Sequence, residues 1–81
     1  MQVAVDISLY PLDEDFIPPI KNVIARLANH DGIEIEYNRM STQLRGDFDV
    51  VMPILTNEIR TTFEHVPKAV FAIKILNNPV N

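Results

Sequence analysis

Between Val3 and Leu9 every second residue is apolar (Val3, Val5, Ile7, Leu9), and Ala4, Asp6, Ser8 and Tyr10 alternate with them as small or polar residues. That is the period of a β-strand with one covered face. Pro11 ends it, and farther along the period changes to that of a helix: Ile17, Ile20, Ile24 and Leu27 recur at spacings of three and four, with Val23 and Ala28 beside them. One apolar stripe therefore runs down a helix that exposes Lys21, Asn22, Arg26 and Asn29 to water. Asp13, Glu14 and Asp15 place acceptors and negative charge at its beginning, between Asp15 and Pro18, and Gly32 is the expected left-handed stop.

Period two returns twice. Ile33, Ile35 and Tyr37 alternate with Glu34, Glu36 and Asn38, and Met40, Thr42 and Leu44 alternate with Ser41, Gln43 and Arg45. The hairpin turn between these strands falls at Asn38-Arg39, since asparagine tolerates positive φ. Asp47 then offers an N-cap to a second helix whose inner face carries Phe48, Val51, Leu55, Ile59 and Phe63, joined by Met52 and Thr62. If Asp47 caps it, Pro53 deletes an intrahelical bond near the second turn and is expected to bend the helix; if Asp49 caps it, the damage is confined to the start. Val66-Pro67 stops it. Ala69 to Leu76 is a last strand, with Phe71, Ile73 and Ile75 on one side and Val70, Ala72 and Lys74 on the other, and Asn77 to Asn81 reads as a frayed tail.

The order β-α-β-β-α-β is that of an α+β, ferredoxin-like sandwich: an antiparallel four-stranded sheet with two helices on one face and the first and third strands in its middle. With 81 residues, only one domain fits, spanning 1–81. The helices cover Val3, Val5, Ile7 and Leu9. The other face takes Asp6, Ser8, Tyr10, Glu34, Glu36, Ser41, Gln43, Arg45 and Lys74, a set that can read a small polar molecule by hydrogen bonds. A solvated face, or one buried against a second protomer, explains the same residues.

The 81 residues contain no cysteine, which removes disulfide scaffolds, thiolate metal sites and cysteine nucleophiles and fits a reducing compartment. A net charge of −4 with its cations scattered singly opposes a nucleic-acid partner. No signal-peptide pattern or membrane-length apolar run is present, so the expected location is the cytoplasm. His30 and His65 lack metal-ligand spacing and suit helix C-termini, Glu34 and Glu36 read as a hydrated pair, and no nucleophile motif or glycine-rich phosphate loop occurs. Neither a catalytic residue nor a metal ligand is assigned.

Three segments carry a more specific likeness: VAVDISLYPLDEDFIPPI (3–20), NRMSTQLRGDFDVVM (38–52) and AVFAIKILN (69–77). Together, and above all through ISLYPL and MST-x-x-x-GD, the chain resembles the YkoF-like thiamine/hydroxymethylpyrimidine-binding family over nearly its whole length. The resemblance implies a protein that binds thiamine or its hydroxymethylpyrimidine part, without being an enzyme and without a cofactor, and that assembles into homodimers or tetramers. It points to Ser8, Tyr10, Ser41, Thr42 and Gln43 as the ligand-binding residues. Thr42 has the helix-facing parity of its strand and Ser41 and Gln43 the opposite one, so they share a pocket only if the strand bulges or the pocket opens at the sheet end. A structural or regulatory module that presents the open sheet face to another protein is the alternative.

Overall fold

A computed structural model of the chain describes residues 1–12 and 17–79, with the side chains of residues 17–20 outside the description. The elements run β1 (Gln2–Pro11), α1 (Ile17–Ala28), β2 (Ile33–Tyr37), β3 (Thr42–Asp47), α2 (Phe48–His65) and β4 (Ala69–Asn77). The four strands form one antiparallel sheet in the order β2-β3-β1-β4, as expected for the ferredoxin-like arrangement. Val3, Val5, Ile7 and Leu9 are buried beneath the helices together with Leu44 of β3, Val23 and Leu27 of α1, and Val51 and Leu55 of α2. Burying each such side chain stabilises the fold by about 1.5–3 kcal/mol relative to leaving it in water.

The register fixes the open face. Across it, Glu34, Arg45, Ala4 and Leu76 form one row, and Glu36, Gln43, Asp6 and Lys74 the next. Ser8 with Ala72, and Tyr10 with Val70, continue it along β1 and β4. Lys74 Nζ lies 3.7 Å from Asp6 Oδ2.

Several local expectations are corrected. Arg26 does not simply face water: its guanidinium donates to Glu58 of α2, Nε at 2.9 Å and Nη2 at 2.5 Å from Oε1, while Thr62 Oγ1 donates to the same carboxylate at 3.3 Å. Glu58 is only 3% exposed, and this pairing is what makes its burial tolerable. Helix α1 ends at Ala28, with Asn29 and His30 N–H closing onto Arg26 and Leu27, so Gly32 (φ +86°) serves the turn into β2 and not the helix stop. Ala28 is exposed. So is Phe63, though its ring tilts against Phe71 at a centroid distance of 5.6 Å.

Asp47 caps α2 through its side chain, which accepts from Asp49 N–H at 3.1 Å, and the Phe48 N–H donates to the Met1 carbonyl at 2.8 Å. The helix runs on through Pro53 as a single element. Asn77 belongs to β4 and pairs with Val3, so the tail is shorter than the sequence suggested. The acidic start at Asp13, Glu14 and Asp15 lies outside the described residues, as do the side chains of Ile17 and Ile20. Among the described residues no helix is long and apolar enough to cross a membrane.

Candidate ligand-binding site

The two central strands differ in length, and the difference opens the sheet. Pairing of β1 with β3 stops at Ile7 and Thr42, whereas pairing of β1 with β4 continues to Pro11 and Ala69. From Ser8 to Pro11, β1 thus has a strand partner on one side only. Successive residues of a strand turn their N–H and C=O groups to opposite sides, so alternate residues of this stretch present backbone donors and acceptors to the gap.

Across the gap lies the β2–β3 hairpin tip, held by Asn38. Its Oδ1 accepts from the N–H groups of Met40 (2.7 Å) and Ser41 (3.1 Å), and its own N–H donates to the Ser41 carbonyl (3.1 Å). Asparagine stands here as an acceptor for its own turn and not for positive φ, which among the described non-glycine residues only Asn78 adopts. Ser8 Oγ donates to the Met40 carbonyl at 3.4 Å, a long bond that ties β1 to the tip.

Between β1, the tip and α1 is a cavity of about 450 Å³. Ser8, Tyr10, Ser41 and Thr42 supply its hydroxyls, and Ile7, Leu9, Val23, Ile24 and Phe71 an apolar wall. Because the cavity passes through the end of the sheet, residues of both parities reach it. That is how Thr42, on the helix side, meets Ser8 and Tyr10, on the open side. Thr42 is 7% exposed as a residue and lines the cavity, and among the described residues no side-chain nitrogen or oxygen is both buried and unpartnered. A hydroxyl at a cavity wall can donate to or accept from whatever enters.

Gln43 is not brought to this cavity. Its Nε2 donates to Ser41 Oγ at 2.6 Å from outside, and it lines a separate depression of about 570 Å³ on the open face with Asp6, Glu34, Glu36, Arg45 and Lys74. Asn38, Arg39 and Met40 line the cavity and were not singled out from sequence; an asparagine three residues before a serine at a strand start was the available signal. Neither histidine is part of it: His30 is exposed beyond α1, and His65 Nδ1 lies 2.8 Å from the Thr61 carbonyl. Among the described residues no cluster of three or more His, Cys, Asp or Glu could hold a metal ion.

Fold and gap together define a ferredoxin-like domain with a cavity at one end of its sheet. The chain matches the YKOF-related family over residues 2–79 and belongs to that family. Among solved structures, a protein from Streptococcus pneumoniae superimposes with a TM-score of 0.90 at 23% identity, covering 99% of this chain and 90% of that one. A Thermotoga maritima protein provisionally assigned to thiamine biosynthesis or salvage gives 0.82 at 22% identity, with 93% and 82% covered. A hypothetical protein from Methanocaldococcus jannascii gives 0.82 at 24%, with 99% and 84% covered. At these identities the likeness establishes the fold. No curated protein matches the chain.

Proposed function

We propose that this protein binds the aminopyrimidine of thiamine, as free hydroxymethylpyrimidine or within thiamine itself, without catalysing a reaction on it, and does so as a homodimer or tetramer. The observation that carries the reading is the apolar-walled cavity that brings the hydroxyls of Ser8, Tyr10, Ser41 and Thr42 together beside a stretch of β1 that β3 does not pair. An aminopyrimidine has a flat apolar ring whose edge alternates ring-nitrogen acceptors with an amine donor. A strand edge offers the complementary C=O and N–H, while Ser8, Ser41 and Thr42 can take the hydroxymethyl group. Gln43 contributes indirectly by fixing the Ser41 hydroxyl.

Membership in the YKOF-related family and the assignment of the Thermotoga maritima protein support a thiamine-related ligand. The described cavity lining offers hydroxyls, the Asn38 amide and the Arg39 guanidinium, groups that bind and orient but are poor general bases at neutral pH, which supports binding without chemistry. The reading needs no cofactor. A net charge of −4 argues against a nucleic-acid partner, and the absence of cysteine supports a cytoplasmic setting.

Titration calorimetry with hydroxymethylpyrimidine and with thiamine tests this proposal. Saturable heat with at least one is the expected result. No heat with either, together with a protein retained on the open face in a pull-down, would favour an interaction module instead; the exposure of Tyr10, Val70 and Leu76 on that face is what keeps this second reading in play.

A further inference from the structure

The polar groups around the cavity are sorted by hydrogen-bonding polarity. On the hairpin tip, Asn38, Arg39 and Ser41 all meet the cavity as donors. Asn38 Oδ1 already accepts from the N–H groups of Met40 and Ser41, so its Nδ2 is the amide group left to a ligand. Ser41 Oγ accepts from Gln43 Nε2 at 2.6 Å, which leaves its proton to be donated. The Arg39 guanidinium can only donate, and none of the described ion pairs includes it. On the β1 side the polarity reverses: Ser8 Oγ donates to the Met40 carbonyl at 3.4 Å and meets a ligand through its lone pairs.

Charge follows the same division. Arg39 is the one charged side chain among the described residues of the cavity wall. Asp6, Glu34, Glu36, Arg45 and Lys74 line the separate depression on the open face. Asp13, Glu14 and Asp15 follow Leu12 in the chain and lie outside the described residues. A guanidinium, an amide N–H and a hydroxyl proton gathered at one end, with no described carboxylate beside them, match the acceptor oxygens of a phosphate. A neutral hydroxymethyl group does not need a guanidinium, and a thiazolium cation is repelled by one. A cavity of about 450 Å³ also has room for a substituent beyond a single pyrimidine ring.

We infer that the ligand is a phosphate monoester of the hydroxymethylpyrimidine, its phosphate held on the hairpin tip by Asn38, Arg39 and Ser41 and the amine edge of its ring turned toward Ser8 and β1. Arg39 is then the residue that selects the ester over the free alcohol and over thiamine. The inference rests on the pyrimidine reading, in which the hydroxymethyl oxygen lies at Ser41 and an ester on that oxygen extends to the tip.

Titration calorimetry of the full chain with hydroxymethylpyrimidine, its phosphate monoester, thiamine and inorganic phosphate, at one ionic strength, tests this. The ester should bind about tenfold or more tightly than the alcohol or thiamine, and only its affinity should fall steeply with added salt. Arg39→Gln, an exposed change whose folding is checked by circular dichroism, should weaken the ester about tenfold and the alcohol by about twofold at most. Arg39→Lys should retain part of the preference. Alcohol binding as tight as the ester's, or an ester preference that survives Arg39→Gln, would overturn the inference and leave the pyrimidine reading standing. Thiamine bound more tightly than the ester would also overturn it. Ester and inorganic phosphate bound equally, with no heat from the alcohol or thiamine, would refute the pyrimidine reading and reduce the tip to an anion site. No heat with any of the four would refute both.

Discussion

Ile7 and Thr42 are the last residues that β1 and β3 pair, and four residues of β1 run on past them. The gap this leaves lets Ser8, whose side chain has open-face parity, and Thr42, with helix-face parity, line one cavity. Neither a bulge nor a rearranged strand is needed.

Hydroxyl deletions at that gap should weaken pyrimidine binding and spare the fold. A hydrogen bond lost from a desolvated site costs about 0.5–1.5 kcal/mol, so Ser8→Ala and Thr42→Ala should each raise Kd by roughly threefold to tenfold in calorimetry. Gln43→Ala, outside the cavity, should change it less than either. Equal effects at Gln43 and Thr42 would move the site to the open face.

Strands and helices were legible because their periods are local: Val3, Val5, Ile7 and Leu9 announce a covered face without reference to the rest of the chain. The shape of the site was not legible in the same way. Parity placed Ser8 and Thr42 on opposite faces correctly, and their meeting depends on how far each strand is paired, a property of two segments at once. Arg26 fell on the polar side of its helix, yet its partner Glu58 is 32 residues away, and nothing in either local pattern marks a buried carboxylate.

Removing Arg26 should be costly. Arg26→Ala leaves the Glu58 carboxylate buried with only Thr62 as a donor, and loss of one partner of a buried pair costs about 3–5 kcal/mol. The guanidinium is 39% exposed, so the loss here should be about 2–3 kcal/mol, read as a lower urea midpoint. Replacing both residues by leucine should recover most of that stability, because no charge is then stranded between the helices.

Gly46 is required by close packing. A Cβ there would stand 3.1 Å from the Gly32 carbonyl oxygen and 3.2 Å from Val51 Cγ2, and the first of these is backbone that cannot swing aside. Gly46→Ala should therefore destabilise the fold by about 1–3 kcal/mol in denaturant unfolding.

Asn38→Ala should separate binding from stability. It deletes the acceptor for two backbone N–H groups at an exposed hairpin tip, where the loss of stability should stay near 1 kcal/mol. The tip carries Met40 and Ser41 at the cavity wall, so pyrimidine affinity should fall while the thermal midpoint moves only a few degrees. Asn38→Asp keeps the acceptor and should retain affinity.

Calorimetric titration of the intact chain with hydroxymethylpyrimidine bears most directly on a pyrimidine site at the gap between β1 and the hairpin tip. Saturable binding of one pyrimidine per chain, weakened in Thr42→Ala, is the predicted result. Absence of heat with both hydroxymethylpyrimidine and thiamine, from protein shown to be folded by circular dichroism, would contradict it.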